Sequence, residues 1–460
     1  MVVEHLSALD AGFLEAEDSD RHVSLAVGGL SVIEGPMPEF PALAAGVAER
    51  IMKVPRFTQV IRTHRLDLGP PEWVEHKSFD LSHHVHRAAL PHPGDDEALF
   101  RFVADVMERR LDRERPLWEC YFIEGLAYGR WALLLKIHHC IADGIATMHM
   151  FSGLSDNGGG TTYATEIRAA RRSQDKRDDQ GVESTTISLN PITWAGGMWK
   201  VATTATRAAA LAFEGALEVA GGLVRPAAPS SLNGPVSTMR RISSARVSLD
   251  DVAAVCEAFD VTVNDVALAA ITSSYRAAIV RRGEQPRRNS LRTLVPVSVR
   301  SNDAEHRTDN RVSLMLPYLP VDKEDPEEQL RAVHRRLTRA KGSGQREAGS
   351  IFVAAANIVP YPFTAWAVRA LTGLPQRGVV ALATNVPGPR KRMRIMGREV
   401  VRMIPIPPIA LQLRTGIAIL SYADDLVFGI TGDFDSAPDL DQLARGIEAG
   451  VAELVARARA

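Results

Sequence analysis

Seven residues in the first half of the chain have the types and spacing of an acid–base site: His138-His139-Cys140-Ile141-Ala142-Asp143-Gly144. An imidazole titrates near neutrality, so a positioned histidine can take a proton from a substrate hydroxyl and return it. Asp143 can fix the local backbone or hold a cation, and Gly144 permits a tight turn. Before the pair, Arg130–Ile137 reads as a buried strand; after the glycine, Ile145–Phe151 reads as a helix start. The pair therefore closes a strand and can face a cleft.

Neighbours on a strand point to opposite faces. One of the two histidines must face away from the cleft, and His138 is read as that one, a satisfied core residue supporting His139. The same alternation counts against a metal. His138, His139 and Asp143 are acceptable ligand types, but adjacent imidazoles do not easily reach one ion, and no metal is expected. A third reading makes Cys140 a nucleophile activated by His139, although cysteine more often serves as a small buried hydrophobe. His83-His84-x-His86 has metal-like spacing and reads instead as a solvated strand edge.

The elements that must position these residues come from a chain of 460 residues, 45% hydrophobic and 24% charged, long enough for two or three domains and a large core. A net charge of −1 gives no basic field for nucleic acid. Three separated cysteines, Cys120, Cys140 and Cys256, point to reduced thiols and a cytoplasmic chain. The opening residues lack a signal peptide's basic and apolar regions, and no apolar run is long enough to span a bilayer. Absent too are Gly-x-Ser-x-Gly, a Walker A loop and a strand-linked Gly-x-Gly-x-x-Gly.

Residues 1–155 alternate strands (Val23–Val32, Trp118–Glu124, Trp131–Ile137) with helices (Glu39–Ile51, Glu97–Arg110). Residues 156–240 form a crossover: a polar stretch, then an Ala-rich apolar segment, Pro191–Val224, that packs between domains or touches lipid. Residues 241–460 resume the mixed pattern. Here a strand at Arg246–Leu249 leads to a helix capped by Asp250, then a long helix from Thr262 to Arg281 with Asn264-Asp265 in its first turn. Strands follow at Leu291–Val299, Arg311–Leu319 and Ala381–Pro389, with a helix at Pro326–Lys341, a hairpin about Ala423-Asp424-Asp425 and a closing helix at Leu440–Arg457. The class is α/β (α+β).

The His-His-x-x-x-Asp-Gly run resembles the active-site motif of chloramphenicol acetyltransferase-like and condensation-domain-like acyltransferases. Further blocks narrow the resemblance to the bacterial wax ester synthase/diacylglycerol acyltransferase family: Leu6-Ser7-Ala8-Leu9-Asp10-Ala11-Gly12-Phe13-Leu14, Pro116-Leu117-Trp118-Glu119, Asn264-Asp265, Pro296-Val297-Ser298-Val299-Arg300 with Asn310 and Leu316-Pro317, Asn385-Val386-Pro387-Gly388-Pro389, and Ser421-Tyr422. Each block is weak alone; their order over most of the chain is specific. One departure is Asp309, which stands where the family usually has glycine before Asn310.

The resemblance implies two acyltransferase lobes with mixed sheets and an active-site tunnel between them. It implies a long-chain acyl-CoA donor used as substrate, with no cofactor, and diacylglycerol or a fatty alcohol as acceptor. His139 would be the general base. Asn264 would be an oxyanion donor or, more simply, a helix cap. Asp143 would pair with Arg300 to hold the loop, Asp265 would support its motif, Trp118 would pack the core, and Asn385 would shape a turn and the tunnel wall. Arg390-Lys391-Arg392-Met393-Arg394 reads as a solvated face that could also meet CoA phosphates or anionic lipid. Peripheral association with the inner membrane face or lipid inclusions is expected from the insolubility of the substrates. A carrier-protein thioester donor and a non-catalytic lipid-binding protein are the other readings.

Overall fold

The structure, a computed structural model, describes residues 4–51, 54–64, 69–141, 155–156, 230–298, 312–342, 381–410 and 412–460. The chain begins β1 (Glu4–His5), α1 (Ala8–Ser19), β2 (Ala26–Ile33), α2 (Phe40–Ile51), β3 (Gln59–Arg62) and β4 (Glu72–Glu75). It continues β5 (Val85–Ala89), α3 (Asp96–Met107), β6 (Trp118–Leu126) and β7 (Arg130–His138). The later half holds β8 (Arg240–Ser248), α4 (Leu249–Phe259), α5 (Val263–Arg281), β9 (Leu291–Ser298), β10 (Val312–Met315), β11 (Tyr318–Leu319) and α6 (Pro326–Gly342). It ends β12 (Ala381–Pro387), β13 (Arg394–Ile395), β14 (Arg398–Ile406), β15 (Thr415–Tyr422), β16 (Asp425–Asp433) and α7 (Leu440–Ala458).

Two mixed sheets dominate. The first runs β13-β14-β2-β7-β6-β5, and the second runs β10-β9-β12-β15-β16-β8 with β11 also on β9. A small sheet, β1-β4-β3, lies apart. Sheet membership does not follow chain order. β13 and β14 come from the later half, yet β14 pairs antiparallel with β2, Ile404 opposite Leu30. A single boundary near residue 240 therefore does not separate the two sheets. The sheets meet where β14 passes β16: a Cβ on Gly429 would stand 1.6 Å from the Pro405 carbonyl oxygen, so only glycine allows that approach.

Each sheet has its own core. In the first, β7 is buried along nearly its whole length, from Trp131 to His138, because both faces are covered; its unbroken apolar run follows. In the second, α5 is apolar almost all round (Val266–Ile271, Tyr275, Ala278, Ile279) and is correspondingly buried, packed against α6 and α7. A third, small cluster joins Val23 and Leu25 of the first half to Val236 and Ile409 of the second, with Phe13 and Ala410 at its margin.

The structure revises several local readings. The helix at 249 is capped by Ser248, whose Oγ accepts from Asp250 and Asp251 N–H; Asp250 sits in the first turn instead. The strand expected over Arg311–Leu319 is broken into β10 and β11, and the Pro317 carbonyl between them accepts from Thr293 N–H at 3.0 Å. His83-His84-x-His86 is not a uniformly solvated edge. His83 is exposed, but His84 is buried, its ring stacked between Phe79 and Trp118 and its Nδ1 2.8 Å from the Trp118 carbonyl. The segment Pro191–Val224 lies outside the described residues.

Candidate active site

The backbone pins the histidine pair from both sides. His138 N–H donates to the Leu117 carbonyl at 3.0 Å, and His139 N–H donates to the Leu25 carbonyl at 3.0 Å. Leu117 belongs to the Pro-Leu-Trp block, so that block reaches the site through its main chain. Trp118 itself is 1% exposed; its Nε1–H donates to the Phe57 carbonyl at 2.9 Å and its ring packs on Phe57 and His84. It is a core residue, as large apolar rings with a satisfied N–H usually are.

β7 stops at His138, where the chain turns and Ile141 N–H reaches the His138 carbonyl at 2.9 Å. His138 points inward and is 1% exposed. Its Nδ1 accepts from Cys140 N–H at 3.2 Å and lies 3.0 Å from Cys140 Sγ. An Nδ1 that accepts from a backbone N–H carries no proton, so in the neutral ring the proton is on Nε2. That nitrogen faces Glu17 Oε2 at 3.4 Å, an ion-pair distance without hydrogen-bond alignment. Cys140 is fully buried, and burial pushes its thiol well above the ordinary range. Burial of this kind favours the neutral thiol, the state expected of a small buried hydrophobe.

His139 takes the other direction. It is half-buried, and its ring stacks on Phe13 with centroids 4.1 Å apart and planes 23° apart. Phe13 and Leu25 both belong to the small cluster that joins the two halves, so His139 stands beside the apolar seam between them. Asp143, Gly144 and Arg300 lie outside the described residues.

Charge is concentrated behind His138. Glu17 is 1% exposed. Burial alone would raise its pKa, but His138, the Leu25 N–H at 2.9 Å and Arg113 at 2.8 Å outweigh it and hold the carboxyl at about 2. Lys136, also 1% exposed, donates to the Val106 and Arg109 carbonyls at 2.8 and 2.6 Å, at the C-terminal end of α3, and lies 3.7 Å from Glu119. Burial lowers its pKa. Glu17 bears no mark in the sequence beyond its place four residues after Phe13, the spacing of one helix face.

Asn264 and Asp265 occupy the first turn of α5, which is capped by Thr262 and not by Asn264. Asp265 Oδ2 accepts from Thr262 N–H and Oγ1, both at 2.8 Å, and lies 2.9 Å from His334 Nδ1; Thr262 Oγ1 accepts in turn from Asp265 N–H. This reciprocal box makes Asp265 structural. Asn264 is half-buried, and its side-chain amide makes no hydrogen bond among the described residues. Asn385 is exposed on β12. The block it opens docks on Ser421-Tyr422: a Cβ on Gly388 would lie 2.3 Å from the Ser421 carbonyl, and the Tyr422 hydroxyl donates to the Val400 carbonyl at 2.7 Å. These blocks brace the hairpin β13–β14. Arg390, Lys391 and Arg392, which lead into it, and Arg394 at its start are exposed, around a buried Met393.

Two family models match the chain. The wax ester synthase/diacylglycerol acyltransferase catalytic domain covers residues 6–267, and the C-terminal domain of the same family covers 308–455. The chain belongs to the wax ester synthase/diacylglycerol acyltransferase family. A probable diacylglycerol O-acyltransferase of Mycobacterium tuberculosis is 56% identical over 454 residues, spanning 99% of this chain and 96% of that protein. A second protein of that organism, a putative diacylglycerol O-acyltransferase, is 44% identical over 451 residues, 98% of this chain and 91% of its own length. Among solved structures, the wax ester synthase/diacylglycerol acyltransferase from Marinobacter aquaeolei aligns over 99% of this chain and 100% of that one, with a TM-score of 0.67 and 26% identity. The starter condensation domain of rhizomide synthetase covers 100% of this chain and 95% of its own, with a TM-score of 0.61 and 13% identity, a likeness of fold alone. The mixed two-sheet architecture of this wax ester synthase/diacylglycerol acyltransferase family member is thus the one its motifs imply. Among the described residues no helix is long and apolar enough to cross a membrane.

Proposed function

We propose that the protein is an acyl-CoA-dependent O-acyltransferase that transfers a long-chain acyl group to diacylglycerol, forming triacylglycerol, with fatty alcohols as a second class of acceptor. One observation carries the assignment of the base: of two adjacent histidines, His138 is consumed by buried partners, while His139 stands half-buried at the seam between the halves. Apolar walls there suit an acyl chain and a diacylglycerol body.

In the reaction, His139 takes the proton of the acceptor hydroxyl as its oxygen attacks the thioester carbonyl carbon. The carbonyl oxygen becomes an oxyanion, which Asn264 and backbone donors stabilise. The intermediate collapses, the C–S bond breaks, and the imidazolium returns its proton to the CoA sulfur. The products are the ester and free CoA, and His139 is restored. Asp143 and Arg300 are assigned an orienting and not a reacting role. Substrates enter from opposite ends of a tunnel between the sheets, and no cofactor takes part. The insolubility of the acceptor supports peripheral association with a membrane or lipid inclusion, on the cytoplasmic side.

The test is CoA release from palmitoyl-CoA with diacylglycerol, with hexadecanol or with no acceptor, for the wild type and His139→Ala. Acceptor-dependent release that is lost in the variant is expected. Full turnover in His139→Ala would remove the base. No CoA release with either acceptor would move the reading to a carrier-bound donor or to a lipid-binding protein.

A further inference from the structure

α1 touches both histidines. Phe13 stacks on His139, and Glu17, one turn further along the same helix face, meets His138. Neighbours on a strand normally diverge, but β7 ends at His138 and the chain turns there, so both rings come to lie along one helix. Glu17 has a second hold. Its Oε1 accepts from Leu25 N–H at 2.9 Å, and the Leu25 carbonyl accepts from His139 N–H at 3.0 Å. One carboxylate thus grips the ring of His138 and the peptide that anchors His139.

The helix is itself clamped. Ser7 caps its start, accepting from Asp10 N–H at 3.1 Å. Two arginines from the segment after α3 secure its end: Arg110 donates to the Val23 carbonyl at 2.9 Å and to the Glu17 carbonyl, and Arg113 donates to the Glu17 carboxylate at 2.8 Å and pairs with Asp18 at 3.0 Å. Cations at a helix C-terminus also favour the macrodipole. A buried carboxylate is costly unless its oxygens are matched by donors, and an apolar side chain would fill the same space without that cost. Its placement here therefore calls for a role that charge performs.

We propose that α1 is a positioning helix for the base, with Glu17 holding the orientation of His138 and of the Leu25 peptide, and Phe13 setting the plane of the His139 ring. The proposal rests on His139 as the base. Neither Glu17 nor Phe13 exchanges a proton with substrate; both are positioning residues.

The experiment compares Glu17→Gln, Glu17→Asp and Phe13→Leu with the wild type and His139→Ala, using palmitoyl-CoA and diacylglycerol. It reads kcat, KM, thermal unfolding and the pH dependence of kcat/KM. Glu17→Gln keeps the shape and removes the charge. It is expected to lower kcat by about 10- to 100-fold, the range typical of residues that orient a reacting group, with KM for palmitoyl-CoA changed by less than about 2-fold. The acid limb of kcat/KM should move to lower pH, because a negative charge that favours the protonated imidazole is gone. The charged groups around Glu17 and Cys140, namely Arg113, Lys136, Glu119 and Asp10, remain in place.

Glu17→Asp should return the limb to its wild-type position while recovering only part of kcat. Phe13→Leu should lower kcat without moving the limb. A folded Glu17→Gln with wild-type kcat and profile would overturn the proposal. If Glu17→Gln does not fold, Glu17→Asp and Phe13→Leu decide, and wild-type kinetics in both would overturn it equally. Full activity in His139→Ala would instead strike the base itself, so the two failures are separable.

Discussion

His138-His139 ends a strand of the first sheet, and Asn264-Asp265 begins a helix of the second core. The two pairs divide in the same way. One member is buried and engaged, His138 by Cys140 and Glu17, Asp265 by Thr262 and His334. Its neighbour, His139 or Asn264, stands half-buried. The anchors differ because the backbones differ. The histidine pair stands where β7 ends and the chain turns, so its anchor can be a distant carboxylate on α1. Helical neighbours are only about 100° apart, so the second anchor must be local, a capping box at the helix start. In the proposed mechanism each dipeptide motif thus pairs one structural residue with one chemical residue.

The sharpest way to break that comparison is to remove the chemical members. His139→Ala is expected to lower kcat by about 10²–10⁴-fold, with thermal unfolding little changed. Asn264→Ala is expected to lower kcat by roughly 10²-fold while KM and stability hold, since its amide makes no fold contact among the described residues. Loss of stability without loss of kcat would make Asn264 a structural residue and end the parallel.

Removing the anchors should do the reverse. Asp265→Ala deletes the capping box and the His334 contact, and is expected to cost about 2 kcal/mol in denaturant unfolding with kcat per folded molecule nearly kept. The Glu17 anchor can be read by pH. Its carboxyl is held at about 2 against an ordinary 4.5, so its folded pKa is depressed. The stability it adds is complete above about pH 4.5 and is lost as pH falls towards 2, an effect on the order of 3 kcal/mol. The stability difference between wild type and Glu17→Gln should therefore shrink across that window and stay flat above it. The smallest effect belongs to Trp118→Phe. It deletes the hydrogen bond to Phe57 while keeping most of the ring, and should cost about 1 kcal/mol with kcat unchanged.

Much of the scaffold was legible from periodicity. β7 is an unbroken apolar run, and α5 a long helix with its start marked by Thr262 three residues before Asp265. α1 was not legible, although its residues lie inside a family block. Three of its four acidic residues, Asp10, Glu15 and Glu17, are buried, which inverts the pattern by which an amphipathic helix is recognised. β14 was hidden by Pro405 and two arginines; it forms because its pairing edge and cover come from β2 and the neighbouring sheet. His84 was misread because burial depends on Phe79 and Trp118 closing over it.

The sequence by itself determined the chemistry on offer and the elements that carry it: an imidazole at a strand end, an amide at a helix start, and ordered blocks that identify the family. Those are local properties, set by residue type and by spacings of two to four. Only the tertiary structure decided which histidine turns inward, that Glu17 meets it across some 120 residues of chain, and that a strand from the later half completes the first sheet. Such choices depend on which distant donors can satisfy a buried charge, and no local period records them.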